Sequence, residues 1–217
     1  MFRSKFFTGF SSKECNQFIA YANPTKRLFH KDEVLSDEGV VVDSFGIILS
    51  GRLKGAKYRY DGALDLIDIY TKSDTVNLDT ICTPSRLSPV QISAMEETEV
   101  FLFHRKTISE ENLPDVFRRR ITTNIINMLA NESVRKLYKI DVLYKKALRE
   151  RIMVYLRHME AHLKRSEFHI RMDREQFAQY LGVNRSALSH ELSLMRKEGI
   201  IDFKKDYFKL LIPGLED

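Results

Sequence analysis

The sequence is poor in cysteine and has no long apolar run. It contains two cysteines, Cys15 and Cys82, and no CxxC pair or Cys/His cluster, which excludes a zinc ribbon, an iron–sulfur cluster and a disulfide scaffold. We expect both cysteines to be small core residues. No window approaches the roughly 20 apolar residues of a membrane span, and the stretch Met1–Phe7 carries charges that a signal peptide lacks. A cytoplasmic chain without a membrane partner is predicted.

Sequence signatures of common catalytic sites are also missing. There is no Gly-rich phosphate loop, no GxSxG motif and no pair of carboxylates at catalytic spacing. A metal site in a β-barrel needs His-x-His and a nearby Glu, whereas His30 and His104 are isolated. We therefore predict no catalytic residue, no metal ion and no cofactor. Haem binding through one of these histidines stays open, although we interpret both as surface or strand-end residues.

Positive charge is concentrated in the second half of the chain. Residues 1–110 carry 14 Lys and Arg against 15 Asp and Glu, whereas residues 111–217 carry 21 against 15. The formal net charge of +5 therefore comes from the C-terminal half. Clustered Lys and Arg favour a polyanionic partner such as nucleic acid, although a solvated basic helix has the same composition.

The region from Phe29 to His104 is typical of a β-roll. Turn signals recur about every ten residues, and the runs between them are β-branched or aromatic. The stretch Ser85–Ser88 lies between Pro84 and Pro89 and is predicted to be a loop. The predicted strands include Val40–Val42, Phe45–Leu49, Leu64–Tyr70, Val90–Ile92 and Val100–Phe103.

A long helix is predicted after Pro114, because neither Gly nor Pro occurs again before Gly182. Apolar residues recur there at steps of three and four. The helix is expected to break near Ser133–Lys139, and a second helical pattern follows. The apolar stripe of the first helix has no obvious partner within the chain, so we expect the segment Pro114–Leu137 to be a dimer seam. A helix that packs on its own β-roll is the alternative. The stripe consists of Val116, Ile121, Ile125, Met128 and Leu129.

The segment from Asp173 to Leu192 predicts a helix-turn-helix. Asp173 and Gln176 form a capping box for the first helix. Gly182 suits the left-handed backbone between the helices, and Asn184 can cap the second helix. The core between them is predicted to be Phe177, Leu181, Val183, Leu188 and Leu192. Glu191 stands where the pattern favours an apolar residue, and Leu192 and Met195 are expected to cover that part of the core.

A β-hairpin wing is predicted directly behind this motif, since residues 199–211 contain two short apolar runs around Lys204-Lys205-Asp206. A bare helix-turn-helix could be an ordinary αα-corner, but the wing and the basic charge favour DNA binding. The hydrogen-bonding face of the second helix consists of Asn184, Arg185, Ser186, Ser189 and His190. Arg185 is expected to make the main base contact, while Lys204 and Lys205 contact phosphate.

These features resemble the cyclic-AMP receptor protein/Fnr (Crp/Fnr) family of bacterial transcription regulators over nearly the full length. The resemblance rests on Gly39, Ile47–Gly51 and Gly62, on Ala94–Val100, and on the stretches Leu181–Arg185 and Glu198–Ile201. It implies an α+β fold with an N-terminal jelly-roll-like β-roll, similar to cyclic-nucleotide-binding domains, at 1–112. A dimerisation helix and hinge at 113–138 and a winged helix-turn-helix domain at 139–217 complete the expected organisation.

The chain departs from the nucleotide-binding members of that family. They carry a Gly-Glu pair and, about ten residues later, an Arg-Ser or Arg-Thr pair that holds the cyclic phosphate. Here the region reads Ser73–Asp79 and then Ser88-Pro89-Val90, so Ser88 stands where the Arg is expected. We therefore expect no cyclic-AMP binding, unless Arg86 supplies the clamp from a shifted loop. The effector-site candidates are Asn77, Leu78, Arg86 and Ser88.

The resemblance implies a homodimer that binds an inverted-repeat operator in double-stranded DNA and works with RNA polymerase. Many relatives have Arg, Glu and Arg at the positions of Arg185, Ser186 and His190, so a different operator sequence is expected. The roll is interpreted as sensing a small molecule or as acting without an effector. A cyclic-nucleotide-binding module that acts on a protein partner is the alternative function.

Overall fold

A computed structural model describes residues 4–60, 62, 64–109, 111 and 113–212. The chain divides into two compact units. The first unit combines residues 1–62 with 67–132, and the second combines residues 63–66 with 133–217. None of the described helices is long and apolar enough to cross a membrane.

The first unit contains the β-roll that the sequence predicts. The strands are β1 (Thr25–Phe29), β2 (Val34–Ser36), β3 (Ser44–Ser50), β4 (Leu53–Tyr58), β5 (Leu64–Tyr70), β6 (Thr75–Val76), β7 (Gln91–Ala94) and β8 (Thr98–His104). They form two antiparallel sheets, with the orders β1-β8-β3-β6 and β2-β7-β4-β5. Side chains of both sheets fill the interior, among them Phe29, Ile48, Leu53 and Ile92.

Strand β3 is central because both of its faces are covered, and residues 45–48 are all buried. Gly46 leaves room for its neighbours inside the roll. A Cβ added there would lie 2.7 Å from Val100 Cγ1 and 2.8 Å from Val76 Cγ2, which is closer than packed side chains tolerate. The centre of the roll is therefore packed with side chains at this level.

The outer face of the same sheet packs against helices through a phenylalanine-rich core. Helix α1 (Ser12–Ala22) contributes Phe18, and the 3₁₀ turn Lys5–Phe7 before it contributes Phe6. Both phenylalanines are fully buried against Phe45 and Phe103. Asn124 of the long helix donates from Nδ2 to the carbonyls of Phe6 and Thr8, at 2.9 and 3.0 Å. These bonds tie the N-terminal segment to the long helix.

Two local predictions in the roll are wrong. Val40–Val42 forms no strand, because only Val41 pairs, in a single bridge with Leu87 of the predicted loop. The backbone hydrogen bonds of this segment go to that loop, from the Gly39 amide to the Ser88 carbonyl and from the Val42 amide to the Arg86 carbonyl. Cys15 is buried as expected, but Cys82 is exposed at the C-terminal end of the short helix α2 (Leu78–Ile81).

The long helix α3 runs without interruption from Asp115 to Tyr144. The predicted break near Ser133–Lys139 is therefore wrong; the chain leaves the helix at residues 145–147. Nothing in the predicted segment breaks a helix, since it has no Gly or Pro. An ion pair between Asp141 and Lys145, one turn apart, lies at the end of the helix.

The apolar stripe predicted as a dimer seam is divided between two faces of α3. Phe117 and Ile121 are buried in the phenylalanine-rich core, and Ile125 and Met128 pack against it. This part of the stripe is therefore covered by its own roll, contrary to the expectation that it had no cover. A second apolar face is exposed and includes Val116, Ile126, Val134, Leu137, Ile140 and Tyr144.

The second unit contains three further helices and a small sheet. The helices are α4 (Leu148–Leu163), α5 (Arg174–Tyr180) and α6 (Arg185–Lys197). The predicted wing forms as β10 (Ile201–Lys204) and β11 (Tyr207–Leu210). A further strand, β9 (Glu167–His169), was not predicted from the sequence and pairs with β11, giving the order β10-β11-β9.

Candidate nucleic-acid interface

The predicted capping box fixes the start of α5. The Asp173 carboxylate accepts from the Gln176 amide, and the Gln176 side chain accepts from the Asp173 amide, both at 2.9 Å. Two amides that a helix end would leave unpaired are thereby satisfied. The start of the first helix is therefore as the sequence predicts.

The turn between α5 and α6 is also set by the predicted residues. Gly182 has φ +69°, in the region that favours glycine. Asn184 then caps α6, because its Oδ1 accepts from the Ala187 amide at 2.7 Å. The second helix consequently begins at Arg185.

The two helices share a fully buried core. Val183 is only half-buried, whereas the other predicted core residues are inaccessible to solvent. Leu192 and Met195 are both buried, as expected beside Glu191. The buried side chains of the motif are Phe177, Ala178, Leu181, Leu188, Leu192 and Met195.

Glu191 is tolerated in this pattern because Arg149 of α4 neutralises it. Arg149 Nε donates to Glu191 Oε1 at 2.6 Å, and the two Nη atoms donate to the Glu198 carboxylate at 2.6 and 2.9 Å. These hydrogen bonds raise the pKa of Arg149 above its ordinary value, and the bonds to Glu198 have the largest effect. One guanidinium therefore holds both the middle and the end of α6.

The outward face of α6 carries hydrogen-bonding groups near its N-terminus. Arg185, Ser186 and His190 are exposed, and Ser189 is half-buried. The Ser186 hydroxyl donates to Asn184 Oδ1 at 2.8 Å. Ser193 is exposed one turn beyond Ser189 and donates to the Ser189 carbonyl at 2.8 Å. The sequence analysis missed Ser193, although its spacing of four residues from Ser189 predicts the same face.

The wing presents two exposed lysines at its turn, Lys204 and Lys205. Lys205 adopts φ +56°. The next residue, Asp206, lies 3.0 Å from His169 Nδ1. That hydrogen bond is the main reason why the pKa of Asp206 is lowered. The wing turn is thus tied to strand β9.

Arg174 is a further basic residue near the wing that the sequence analysis did not select. Its guanidinium carbon lies 4.8 Å from the centroid of the Phe203 ring, and Nη2 donates to the Lys205 carbonyl at 3.2 Å. Burial, followed by the positive charge of Arg185, lowers the pKa of Arg174. The mutual repulsion indicates that Arg174 and Arg185 contribute to one positive region.

The four effector-site candidates in the roll have separate local partners. Asn77 is buried with φ +61° and donates to Ser36 Oγ at 3.1 Å. Leu78 is buried in the phenylalanine-rich core. The buried Ser88 hydroxyl donates to the Val90 carbonyl at 2.8 Å, and Arg86 forms an ion pair with Asp43.

The two isolated histidines lie at strand ends and are exposed, as interpreted from the sequence. His30 follows β1, and His104 ends β8, where its Nδ1 accepts from the Lys106 amide at 3.2 Å. Among the residues that the structure describes, no group of three or more His, Cys, Asp or Glu side chains could hold a metal ion.

Residues 150–216 match the family of Crp-like helix-turn-helix domains. No functionally curated protein matches the sequence. The structure of FixK2 from Bradyrhizobium japonicum is similar, with 20% identity, coverage of 86% of this chain and 92% of that one, and a TM-score of 0.67. The c-di-GMP-responsive global regulator CLP of Xanthomonas campestris has 14% identity, coverage of 94% and 100%, and a TM-score of 0.70.

The catabolite activator protein of Thermus thermophilus is a third solved structure with this fold. It has 18% identity, coverage of 95% of this chain and 93% of that one, and a TM-score of 0.54. Because these three structures are 20% identical or less, their likeness to this chain shows its fold. The resemblance to the Crp/Fnr family is therefore confirmed for the C-terminal domain, and the β-roll and the long helix have the fold of the solved structures.

Proposed function

We propose that the chain is a sequence-specific regulator of transcription that binds an inverted-repeat operator as a homodimer. The observation that carries this proposal is the face of α6 formed by Arg185, Ser186, Ser189 and His190, which leaves hydrogen-bonding groups accessible at the start of a capped helix. A helix of this kind fits the major groove, where base edges differ in their donors and acceptors. The basic composition of residues 111–217 supports attraction to phosphate.

The contacts divide into two classes in this proposal. The planar fork of Arg185 suits guanine O6 and N7, so Arg185 is the principal base-reading residue, while Asn184, Ser186, Ser189 and His190 refine the choice. Lys204 and Lys205 project from the wing turn and contact phosphate. Such contacts position the protein without reading sequence.

The exposed apolar face of α3 supports the homodimer. Val116, Ala130, Leu137 and Tyr144 are separated by multiples of seven residues, as are Ile126 and Ile140. A seven-residue repeat is the pattern of a coiled-coil seam. Leu137, Ile140 and Tyr144 are 60%, 58% and 86% exposed in the single chain. A second copy of the same helix offers the complementary face, and two-fold pairing matches an inverted-repeat operator.

The roll is proposed either to respond to a small molecule other than cyclic AMP or to act without an effector. Arg86, the candidate phosphate clamp, forms an ion pair with Asp43, and the Ser88 hydroxyl donates a hydrogen bond to the Val90 carbonyl. A cyclic phosphate would have to displace a carboxylate from this arginine. RNA polymerase as partner and the cytoplasm as location belong to the same proposal.

Selection of binding sites from random double-stranded DNA tests the proposal. The full chain should enrich a single inverted repeat whose half-sites are about one helical turn apart. Lys13→Ala, which removes an exposed charge from α1 in the first unit, is the matched control and should enrich the same sequence. Failure to enrich any sequence would contradict the proposed function. Enrichment of an asymmetric single site would contradict the dimeric arrangement.

A further inference from the structure

Phe203 of the wing contacts two arginines of the helix-turn-helix. The guanidinium carbon of Arg174, the first residue of α5, lies 4.8 Å from the centroid of the Phe203 ring. The guanidinium carbon of Arg196, in the last turn of α6, lies 5.5 Å from the same centroid. Both distances are within the range at which a cation is attracted to an aromatic face. One ring of β10 therefore connects the wing to both helices of the motif.

Arg174 also holds the turn of the wing directly. Its Nη2 donates to the Lys205 carbonyl at 3.2 Å, and its guanidinium carbon lies 5.7 Å from the centroid of the Phe208 ring in β11. Phe203 and Phe208 are opposite each other on the two wing strands, and their stacked rings are 6.0 Å apart. Lys205 has φ +56°, a conformation that a lysine keeps only where its surroundings hold it. Arg174 thus contacts both strands and the turn of the wing.

The charge of Arg174 is not neutralised by any carboxylate in the described part of the chain, and its buried Nη1 has no hydrogen-bond acceptor there. Arg196, on the same ring, is instead paired with Asp202 at 2.9 Å. Burial and then the charge of Arg185 lower the pKa of Arg174. A partly buried guanidinium without an ionic partner stabilises a fold less well than an apolar side chain of similar size. Stability alone therefore does not account for an arginine at this position.

We propose that Arg174 is a positioning residue for DNA binding, which acts through Phe203 to hold the wing lysines against the phosphate backbone. This inference rests on the proposed function, because it concerns how the DNA-contacting lysines are placed. Lys204 directly follows Phe203 in β10, so its position depends on the strand that Arg174 holds. Arg174 itself contacts no phosphate in this proposal. Its loss should therefore remove the contact made by Lys204 and leave base reading by α6 unchanged.

A double-mutant cycle between Arg174 and Lys204 tests the proposal. The probe is the inverted-repeat duplex recovered by the selection from random DNA, and fluorescence anisotropy gives its affinity over a range of salt concentrations. In the parent protein, Lys204→Ala should lower the slope of log affinity against log salt by about one unit for each phosphate contact that is lost. Arg174→Met should lower the slope at least as much. Lys204→Ala should then cause no further fall, because the lysine is already misplaced. Binding-site selection with Arg174→Met should recover the parent consensus.

Variants of Phe203 test the same contact without a change of charge. Phe203→Leu removes the ring face but keeps an apolar side chain, and it should lower the slope and abolish the effect of Lys204→Ala. Phe203→Tyr retains the ring face and should behave like the parent. Arg119→Met removes an exposed arginine from α3 in the first unit and is the matched control. Melting temperatures identify any variant that fails to fold, and the cycle is then read from the other partner of the contact.

The possible outcomes distinguish this inference from the proposed function. If folded Arg174→Met keeps the parent slope, or if Lys204→Ala has no effect in the parent, the positioning role is wrong. If the effects of Arg174→Met and Lys204→Ala add in the double variant, Arg174 contacts phosphate itself, and positioning through Phe203 is again wrong. The proposed function stands in these cases, because the duplex is still bound. If no duplex is recovered, both fall. Loss of the Lys204→Ala effect in Arg174→Met and in Phe203→Leu supports the inference.

Discussion

Arg149 of α4 and Glu191 of α6 form a 2.6 Å ion pair at a position of the helix-turn-helix where an apolar residue is usual. Glu191 is the more buried partner, with 20% of its side chain exposed. A carboxylate in such a place is destabilising unless it is paired and hydrogen-bonded. The pair therefore explains how α6 accommodates a charge on its partly buried side.

The first prediction concerns this pair. Arg149→Met leaves Glu191 and Glu198 without their shared guanidinium, so the second unit should melt at a lower temperature than in the parent. The double variant Arg149→Met/Glu191→Leu should recover part of the loss, because an apolar pair replaces the orphaned charge. Arg165→Met, at an exposed position after α4, is the control. A double variant no more stable than Arg149→Met would argue against this account.

The second prediction concerns base readout. Arg185→Ala should weaken operator binding by about 1 to 3 kcal/mol per half-site and flatten the preference at one symmetric base pair. Binding-site selection with the variant measures both effects. If Arg185 only touched phosphate near the helix N-terminus, the variant would select the same consensus as the parent.

The third prediction concerns the wing. Lys204→Ala should weaken binding to all DNA sequences alike, because a phosphate contact carries no sequence information. The slope of log affinity against log salt should fall by about one unit. Fluorescence anisotropy titrations over a range of salt concentrations provide the slope. A changed consensus in place of a changed slope would assign Lys204 to a base.

The fourth prediction separates the two apolar faces of α3. Leu137→Asp should give folded monomers in sedimentation experiments, since Leu137 is exposed in the single chain. Ile125→Asp should instead lower the free energy of unfolding by about 2 kcal/mol or more, because its neighbours belong to the core of the first unit. Asn131→Asp is the control, because Asn131 is exposed and belongs to neither of the two apolar faces of α3. A dimeric Leu137→Asp protein would place the seam elsewhere.

The fifth prediction concerns pH and the N-terminal helix. Hydrogen bonds from the Ser11 amide and hydroxyl, and then the Arg120 guanidinium, lower the pKa of Glu14 from 4.5 to about 2. A carboxyl group whose pKa is lowered by folding stabilises the folded state fully at pH values above its pKa in the unfolded chain. This stabilisation is lost as the pH falls toward the pKa in the folded state. Between pH 4.5 and 2, the parent should therefore lose more stability than Glu14→Gln. Parallel melting curves across this range would contradict the assignment.

Calorimetry with cyclic AMP provides a sixth test, of the roll. No binding is expected at physiological nucleotide concentrations, because Arg86 is held by Asp43 and Ser88 offers no positive charge. Micromolar binding that Arg86→Ala abolishes would show that the loop supplies the clamp after all.

The parts of the fold that depend on local sequence were predictable. The capping residues Asp173 and Asn184 and the turn at Gly182 act through hydrogen bonds and backbone angles within a few residues. The burial of the helix-turn-helix core follows from the same periodicity. The starts of both helices and their capping hydrogen bonds could therefore be assigned in that region without tertiary information.

Features that depend on distant partners were not predictable. The contact between Arg149 and Glu191 joins residues 42 positions apart, and nothing in either local pattern indicates it. Strand β9 is three residues long and forms because β11 lies beside it. The sequence did not show which residues cover Ile125. The phenylalanine-rich core that it packs against includes Phe6 and Phe7, which lie more than 100 positions away in the sequence.

The hydrogen bond from Ser186 to Asn184 decides what Ser186 can offer to a base. Its proton is committed to Asn184 Oδ1, so the hydroxyl presents only lone pairs toward the groove. Lone pairs accept from the exocyclic amino groups of adenine or cytosine, and they repel the O6 and N7 acceptors of guanine. An operator position read by Ser186 should therefore be A or C on the contacted strand, beside the guanine assigned to Arg185.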